Sequence, residues 1–315
     1  MPCGFYQILH LISLHSNFIE NEKQEKNMRE FIIFTDSGSD LSPETLSSWN
    51  VRSESLTFRF TDSEEEFLDG KVDIKKFYDA MRAGRVAKTA AVNTSTFEEA
   101  FEKAILEGYD ILYIGFSSGL STTFNSGRLA AASLTKKYPD SKLIAIDSLA
   151  ASAGLGLLVK LAVDKKASGA TIEETAKYIE SIKLNLCHWF TVDDLVYLKR
   201  GGRISATSAF VGNLIGIKPV LHVDNDGHLT NVAKVRGRKV SVSALADNLG
   251  KTIDTSISNL VYISHADCMS DVEYLTEVLK TKYGAEVAHV TNVGSVIGAH
   301  AGPGTLALFF LGKER

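Results

Sequence analysis

From Arg29 to the C-terminus, short apolar runs alternate with stretches in which apolar residues recur every three or four positions, the two periods that separate strand from helix. Phe31–Thr35 reads as a buried strand, Asp36–Asp40 as a polar turn, and Ser42-Pro43-Glu44 as a helix start with proline at the first helical position. Val51–Phe60 alternates as one strand. Asp73 caps a helix ending near Gly84, Lys88–Asn93 reads as a loop, and Thr94 or Ser95 caps Phe97–Leu106. Asp110–Ile114 and Lys142–Ile146 are strands on either side of a helix from about Thr122 to Lys137. This alternation predicts an α/β domain, a parallel sheet with helices on both faces.

Leu149–Lys166 is rich in Ala, Gly and Leu and suits close packing, and Gly169-Ala170-Thr171 breaks it before a helix to about Leu186. The domain boundary falls here, giving an α/β N-terminal domain over 29–170 and an α+β C-terminal domain over 171–315. In the second, His188–Val192 is a strand, Asp193–Lys199 a short helix, and Gly201-Gly202 a sharp turn into Arg203. Ile217–Val223 and His228–Val235 flank Asp224-Asn225-Asp226-Gly227, a hairpin sequence. Helix Ser241–Ile253, strand Leu260–Ser264, helix Ser270–Tyr283, strand Glu286–Val290 and strand Leu306–Leu311 complete the domain. Residues 1–28 read as an N-terminal extension that adds little to the fold. Within it Phe5–Ile19 is interrupted by polar residues and has no basic start, which suits neither a signal peptide nor a membrane span.

With 315 residues, 44% of them hydrophobic and 23% charged, the chain can bury a large core. A net charge of −4 argues against nucleic-acid binding through bulk electrostatics. Cys3, Cys187 and Cys268 are odd in number and far apart, which fits a reduced cytoplasmic setting. No metal is expected: His265, Asp267 and Cys268 crowd one strand end without a fourth ligand, and Glu64–Glu66 has nothing near it to complete a set.

Candidate chemistry gathers at Tyr113–Arg128, where a strand ends, hydroxyls follow at Ser117, Ser118, Ser121 and Thr122, and a helix begins. Such a junction directs backbone N–H groups and the positive end of a helix dipole outward, so it is a seat for an anion. Gly115-Phe116-Ser117-Ser118-Gly119 also satisfies G-x-S-x-G, with His300 downstream, so a serine esterase using Ser117 and His300 is the alternative. Thr89, Arg203, Arg236 and His300 each have a plainer reading too, as loop hydroxyl, solvated charge or core histidine.

Eight blocks, in order, resemble the DegV family of bacterial fatty-acid-binding proteins: FTDSGSDL at Phe34–Leu41, the Thr89 loop, SSGLS at Ser117–Ser121, IDS at Ile146–Ser148, LKRGGRIS at Leu198–Ser205, GNLIGIKP at Gly212–Pro219, KVRGRK at Lys234–Lys239 and HAGPG at His300–Gly304. The resemblance implies two α/β domains around a buried acyl chain, with the carboxylate held by Thr89 and Ser121. It places Ser117, Ser118, His300 and Arg203 near the head group, and Arg236, Arg200 and Arg238 toward a docking partner. That partner is implied to be a separate ATP-dependent fatty acid kinase that makes acyl phosphate and feeds phospholipid metabolism, with no cofactor in the carrier itself and no stable membrane insertion. Arg203, Arg236 and a protonated His300 would then meet the added charge of a phosphorylated head group. Lys199, Lys234 and Lys239 extend the docking arginines into one basic patch. Two departures from the family pattern stand out: Thr89-Ala90-Ala91-Val92 lacks the usual serine and proline, and Thr122 replaces the usual glycine after SSGLS.

Overall fold

The computed structural model describes residues 29–204 and 216–315. The expected extension over 1–28, Ser205 of LKRGGRIS and Gly212–Ile215 of GNLIGIKP lie outside the described residues. The first half carries β1 (Phe31–Asp36), β2 (Val51–Glu54), β3 (Thr57–Phe60), β4 (Phe67–Leu68), β5 (Ala87–Ala90), β6 (Asp110–Gly115) and β7 (Leu143–Asp147). The second carries β8 (Leu186–Thr191), β9 (Ile217–Val223), β10 (Leu229–Arg236), β11 (Val261–His265), β12 (Val287–Asn292) and β13 (Leu306–Leu311).

Strands pair as a parallel sheet in the order β2-β1-β6-β7 and as a mixed sheet in the order β10-β9-β8-β13-β11-β12. In the mixed sheet β11 and β12 run parallel and the other neighbours antiparallel. A small antiparallel sheet, β4-β3-β5, stands beside them. Every residue of β1, β6 and β13 is buried, so these strands read as unbroken apolar runs rather than alternating ones.

Helix Ala153–Ala167 ties the two large sheets together. It packs on β1 and β6 of the parallel sheet and on β8, β11 and β13 of the mixed one. Its glycines permit that double contact: a Cβ at Gly154 would lie 2.6 Å from His188 Nε2, and one at Gly156 would lie 2.9 Å from Leu41 Cδ2. One apolar core therefore runs from the parallel sheet to the inner face of the mixed sheet, crossing the expected boundary at residue 170. A second cluster lies under helices Arg238–Thr252 and Met269–Tyr283.

Several expectations are corrected. Val51–Phe60 is two strands in two sheets, because Leu56 is pulled inward with its N–H donated to Ser37 Oγ at 3.1 Å. The Lys88–Asn93 loop begins as strand, since Ala87–Ala90 pairs with β3 and puts Thr89 opposite Phe58. Asn93, not Thr94 or Ser95, caps the next helix by accepting from Thr96 N–H at 2.8 Å. The helix expected to reach Leu186 stops at Ile182, and Leu186 opens β8. Ser295–Ala301, assigned no element from the sequence, is a helix.

Candidate functional site

A cavity of about 940 Å³ lies between the two large sheets, under the serine turn and helix Ser295–Ala301. Phe116, Leu120, Phe190, Val296, Ile297 and Phe309 supply apolar wall from both halves of the chain. Thr89, Ser121, Arg203 and His300 supply a polar section of the same wall.

These four residues form a chain of neighbours. Thr89 Oγ1 lies 2.8 Å from His300 Nε2. Arg203 is close enough to depress the His300 pKa, and it donates from Nε to Leu120 O at 3.2 Å, next to Ser121. Arg203 Nη1 also donates to Gly201 O at 2.6 Å, so the guanidinium is fixed by backbone rather than swinging free. Ser121 Oγ lies 2.9 Å from Thr123 Oγ1 and accepts from Thr123 N–H at 3.2 Å, one step outside helix Thr123–Lys137. Thr122 occupies the cap position without a side-chain bond, and Ser121 Oγ takes the first helical N–H in its place.

Burial, helped by the nearby Arg203, pushes His300 down to about 4. The ring is therefore neutral at pH 7; the protonated form was expected only against the added charge of a phosphorylated head group. Its Nδ1 is buried without a hydrogen-bond partner. With the ring hydrogen on Nε2 it is donated to Thr89, and the buried Nδ1 keeps an unpaired lone pair rather than an unpaired N–H. Thr89 then keeps its own hydroxyl hydrogen for an acceptor inside the cavity.

The pH consequence has a definite sign. Between pH 6.5 and about 4 the unfolded chain binds a proton at residue 300 that the native chain refuses, so acidification removes stability across that window. Asp36 acts oppositely: burial raises it from 3.8 to about 6, so its contribution is lost as pH rises through that interval. Replacing His300 with Gln is expected to flatten the acid limb of stability measured by chemical denaturation; an unchanged limb would contradict this assignment.

The serine turn is built from behind. Asp36 Oδ2 accepts from Tyr113 OH at 2.8 Å and from Phe116 N–H at 2.9 Å, anchoring the strand exit. Ser117 is fully buried, is not part of the cavity wall, and donates to Gly227 O at 3.0 Å. A Cβ at Gly119 would meet Asp226 O at 2.8 Å, so the turn sits directly on the hairpin tip between β9 and β10. Ser118 is exposed at the cavity and donates its N–H to Asp147 Oδ1 at 3.2 Å.

Ser117 is thus a latch between the two halves and not a head-group residue. It is also unpaired with His300, whose Nε2 is on Thr89, so nothing in the geometry supports the esterase alternative. Ser117→Ala is expected to cost about 1–3 kcal/mol of unfolding free energy by stranding the Gly227 carbonyl. A fluorophosphonate probe should leave Ser117 unlabelled in the folded protein.

Of the docking arginines, Arg236 and Arg200 are exposed, Arg200 over the Tyr197 ring. Lys199, Lys234 and Lys239 are exposed as well. Arg238 is turned inward instead: Nε donates to Asp271 Oδ2 at 3.0 Å and Nη2 to Gly304 O at 2.6 Å. Its role is structural. Among the described residues no group of three or more His, Cys, Asp or Glu side chains is placed to hold a metal ion, and no helix is long and apolar enough to cross a membrane.

Fold and site together define an α/β protein whose parallel and mixed sheets close around one cavity with a hydroxyl, histidine and arginine section in its wall. The family model described as "Uncharacterised protein, DegV family" matches residues 30–313. A DegV domain-containing protein of Clostridium perfringens is 42% identical over 289 residues, 91% of this chain and 99% of that one. The chain belongs to the DegV family. Two solved structures from Thermotoga maritima share its fold. One, a DegV lipid binding protein, has TM-score 0.77 at 30% identity, covering 91% of this chain and 99% of that one. The other, described as revealing fatty acid binding function, has TM-score 0.76 at 29% identity, covering 90% and 100%.

Proposed function

We propose that this protein is a cytosolic, non-catalytic carrier that binds a long-chain fatty acid and offers its carboxylate to a separate ATP-dependent fatty acid kinase. The observation that carries the reading is one cavity joining an apolar interior to the Thr89, Ser121, His300 and Arg203 section. Fatty acid binding by the Thermotoga maritima relative supports it.

The energetics divide the work. Burying about fifteen methylene and methyl groups at ~0.8 kcal/mol each gives on the order of 12 kcal/mol before ordering costs, so the tail supplies the grip. Two hydroxyls and a helix start then orient the carboxylate without locking it in a bidentate guanidinium clamp. An oxygen stays available to attack a phosphoryl group. The exposed basic residues around Arg200 and Arg236 fit an acidic face on the kinase.

Native mass spectrometry of the protein purified from its own cells is expected to show one co-purified fatty acid per chain. Purification without bound lipid, together with no uptake of added palmitate, would refute the carrier. Arg236→Glu should leave palmitate affinity unchanged and slow acyl phosphate formation by the kinase, more so at low salt. Impaired palmitate binding in that variant would move Arg236 into the head-group site.

A further inference from the structure

Beside the head-group section lies a polar cluster whose carboxyls, Asp40 and Asp69, are not part of the cavity wall, although Ser152 and Ser264 next to Asp40 are. Asp40 and Asp69, 8% and 2% exposed, converge on the backbone of Gly294: a Cβ there would meet Asp40 Oδ1 at 2.7 Å and Asp69 Oδ1 at 3.0 Å. Asp40 Oδ1 accepts from Gly294 N–H at 2.9 Å. Asp69 Oδ1 accepts from Ser295 Oγ at 2.7 Å and from Val296 N–H at 3.2 Å. Both carboxyls therefore hold the first residues of helix Ser295–Ala301, which carries His300. Two further bonds fix the same segment to the first half of the chain, Tyr78 OH to Val293 O at 2.6 Å and Thr291 Oγ1 to Asp40 O at 2.8 Å.

We propose that Asp40 and Asp69 are positioning residues that clamp the His300 helix in register with Thr89, Asp40 as the neutral acid and Asp69 as the carboxylate. The proposal rests on the fatty acid reading only for its ligand readout. Neither carboxyl faces a cation among the described residues; the titratable groups around them are Asp36 on β1 and Tyr78 on helix Ile74–Arg82, with Asp267 and Cys268 beyond Tyr78. Two buried charges this close without a cation would repel, so one proton must stay.

Hydrogen bonding says where. Asp40 Oδ2 is bonded to Ser152 Oγ, which lies 2.8 Å from Ser264 Oγ. An acid proton on Asp40 Oδ2 donates to Ser152, and Ser152 passes its own hydrogen to Ser264, so each oxygen in the row has a partner. Asp69 accepts from a hydroxyl and an amide through Oδ1, and its Oδ2, buried without a partner, has no acceptor for an acid proton. Burial raises both groups, Asp40 well above its ordinary value, with the Asp69 charge adding to the effect on Asp40.

The test compares wild type with Asp40→Asn, an amide that reproduces the neutral acid in shape and donor. Palmitate affinity, the ¹⁵N signals of His300 in the ligand-free protein and the ¹³Cγ signal of Asp40 are followed as pH is raised until Asp40 ionises. Wild type should lose about tenfold in affinity as Asp40 ionises beside Asp69, with a matching change at His300. Asp40→Asn should bind as wild type at pH 7 and show neither change. Equal alkaline losses in the two proteins, or abolished binding in Asp40→Asn at pH 7, would overturn the clamp. If palmitate binds neither protein, the fatty acid reading fails while the His300 signals still decide the clamp. Should Asp40→Asn not fold, the aspartate ¹³Cγ titration of wild type decides: Asp40 keeping its proton after Asp69 has lost its own supports the proposal, and the reverse order overturns it.

Discussion

Thr89→Val is expected to weaken palmitate binding about 10- to 100-fold with little change in overall fold. The hydroxyl lies 2.8 Å from His300 Nε2, and in the proposed reading it accepts the ring hydrogen and keeps its own for the carboxylate. Valine preserves the branched shape and the strand pairing opposite Phe58, so the loss reports the hydrogen bond rather than the packing. A hydrogen bond to a charged group contributes about 1.5–3 kcal/mol, and each ~1.4 kcal/mol is tenfold in affinity. Ser121→Ala should cost less, about tenfold, because in the proposed reading the start of helix Thr123–Lys137 would still face the carboxylate. Calorimetric titration with palmitate checks both; wild-type affinity in the pair would place the head group elsewhere.

Gly201→Ala should damage the site although residue 201 touches no ligand. A Cβ there would lie 2.1 Å from His300 Nδ1 and 3.0 Å from its Cγ, a collision with a ring whose other nitrogen is bound to Thr89. The ring must leave, and the Thr89 bond with it. Overpacking of this kind costs about 1–3 kcal/mol, and palmitate affinity should fall alongside melting temperature. Gly169→Ala is the control. Its φ is +88° with nothing within 4 Å of an added Cβ, and it lies outside the cavity wall, so backbone strain lowers stability by about 1 kcal/mol while palmitate binding stays near wild type. Equal affinity loss in both variants would mean that lost stability, and not the contact with His300, controls the site.

Much of the architecture was legible because its rules are local. Asp73 and Pro43 announced helix starts, the apolar runs at Phe31 and Asp110 announced strands buried on both faces, and Asp224–Gly227 announced a hairpin. What failed depended on partners distant in sequence. Thr89 lies in a four-residue strand with weak alternation, and only pairing with β3 makes it a strand. The helix bearing His300 has glycines at 294, 298 and 302, which blur its apolar period; Asp40, Asp69 and Tyr78 hold its start from the other half of the chain.

The site residues were legible unevenly for the same reason. Ser117 and Ser121 are four apart in one serine-rich stretch, yet Ser117 is spent on Gly227 and Ser121 reaches the cavity. No spacing rule distinguishes them, because the hairpin that claims Ser117 arrives 110 residues later. Arg238 and Arg236 likewise share one basic motif, and only Asp271 and Gly304 turn Arg238 inward. Asp36 and Asp40 stood in FTDSGSDL, where two aspartates flank the end of a fully buried strand. That was the available signal that this stretch organises the site from behind.

Soaking or co-crystallising the protein with a terminally brominated palmitate, and locating bromine by its anomalous scattering, tests the central claim most directly. The account predicts bromine inside the cavity among side chains such as Phe190 and Phe309, with carboxylate oxygens within hydrogen-bond reach of Thr89 Oγ1 and Ser121 Oγ. Bromine outside the cavity, or a carboxylate at its other end, would contradict it.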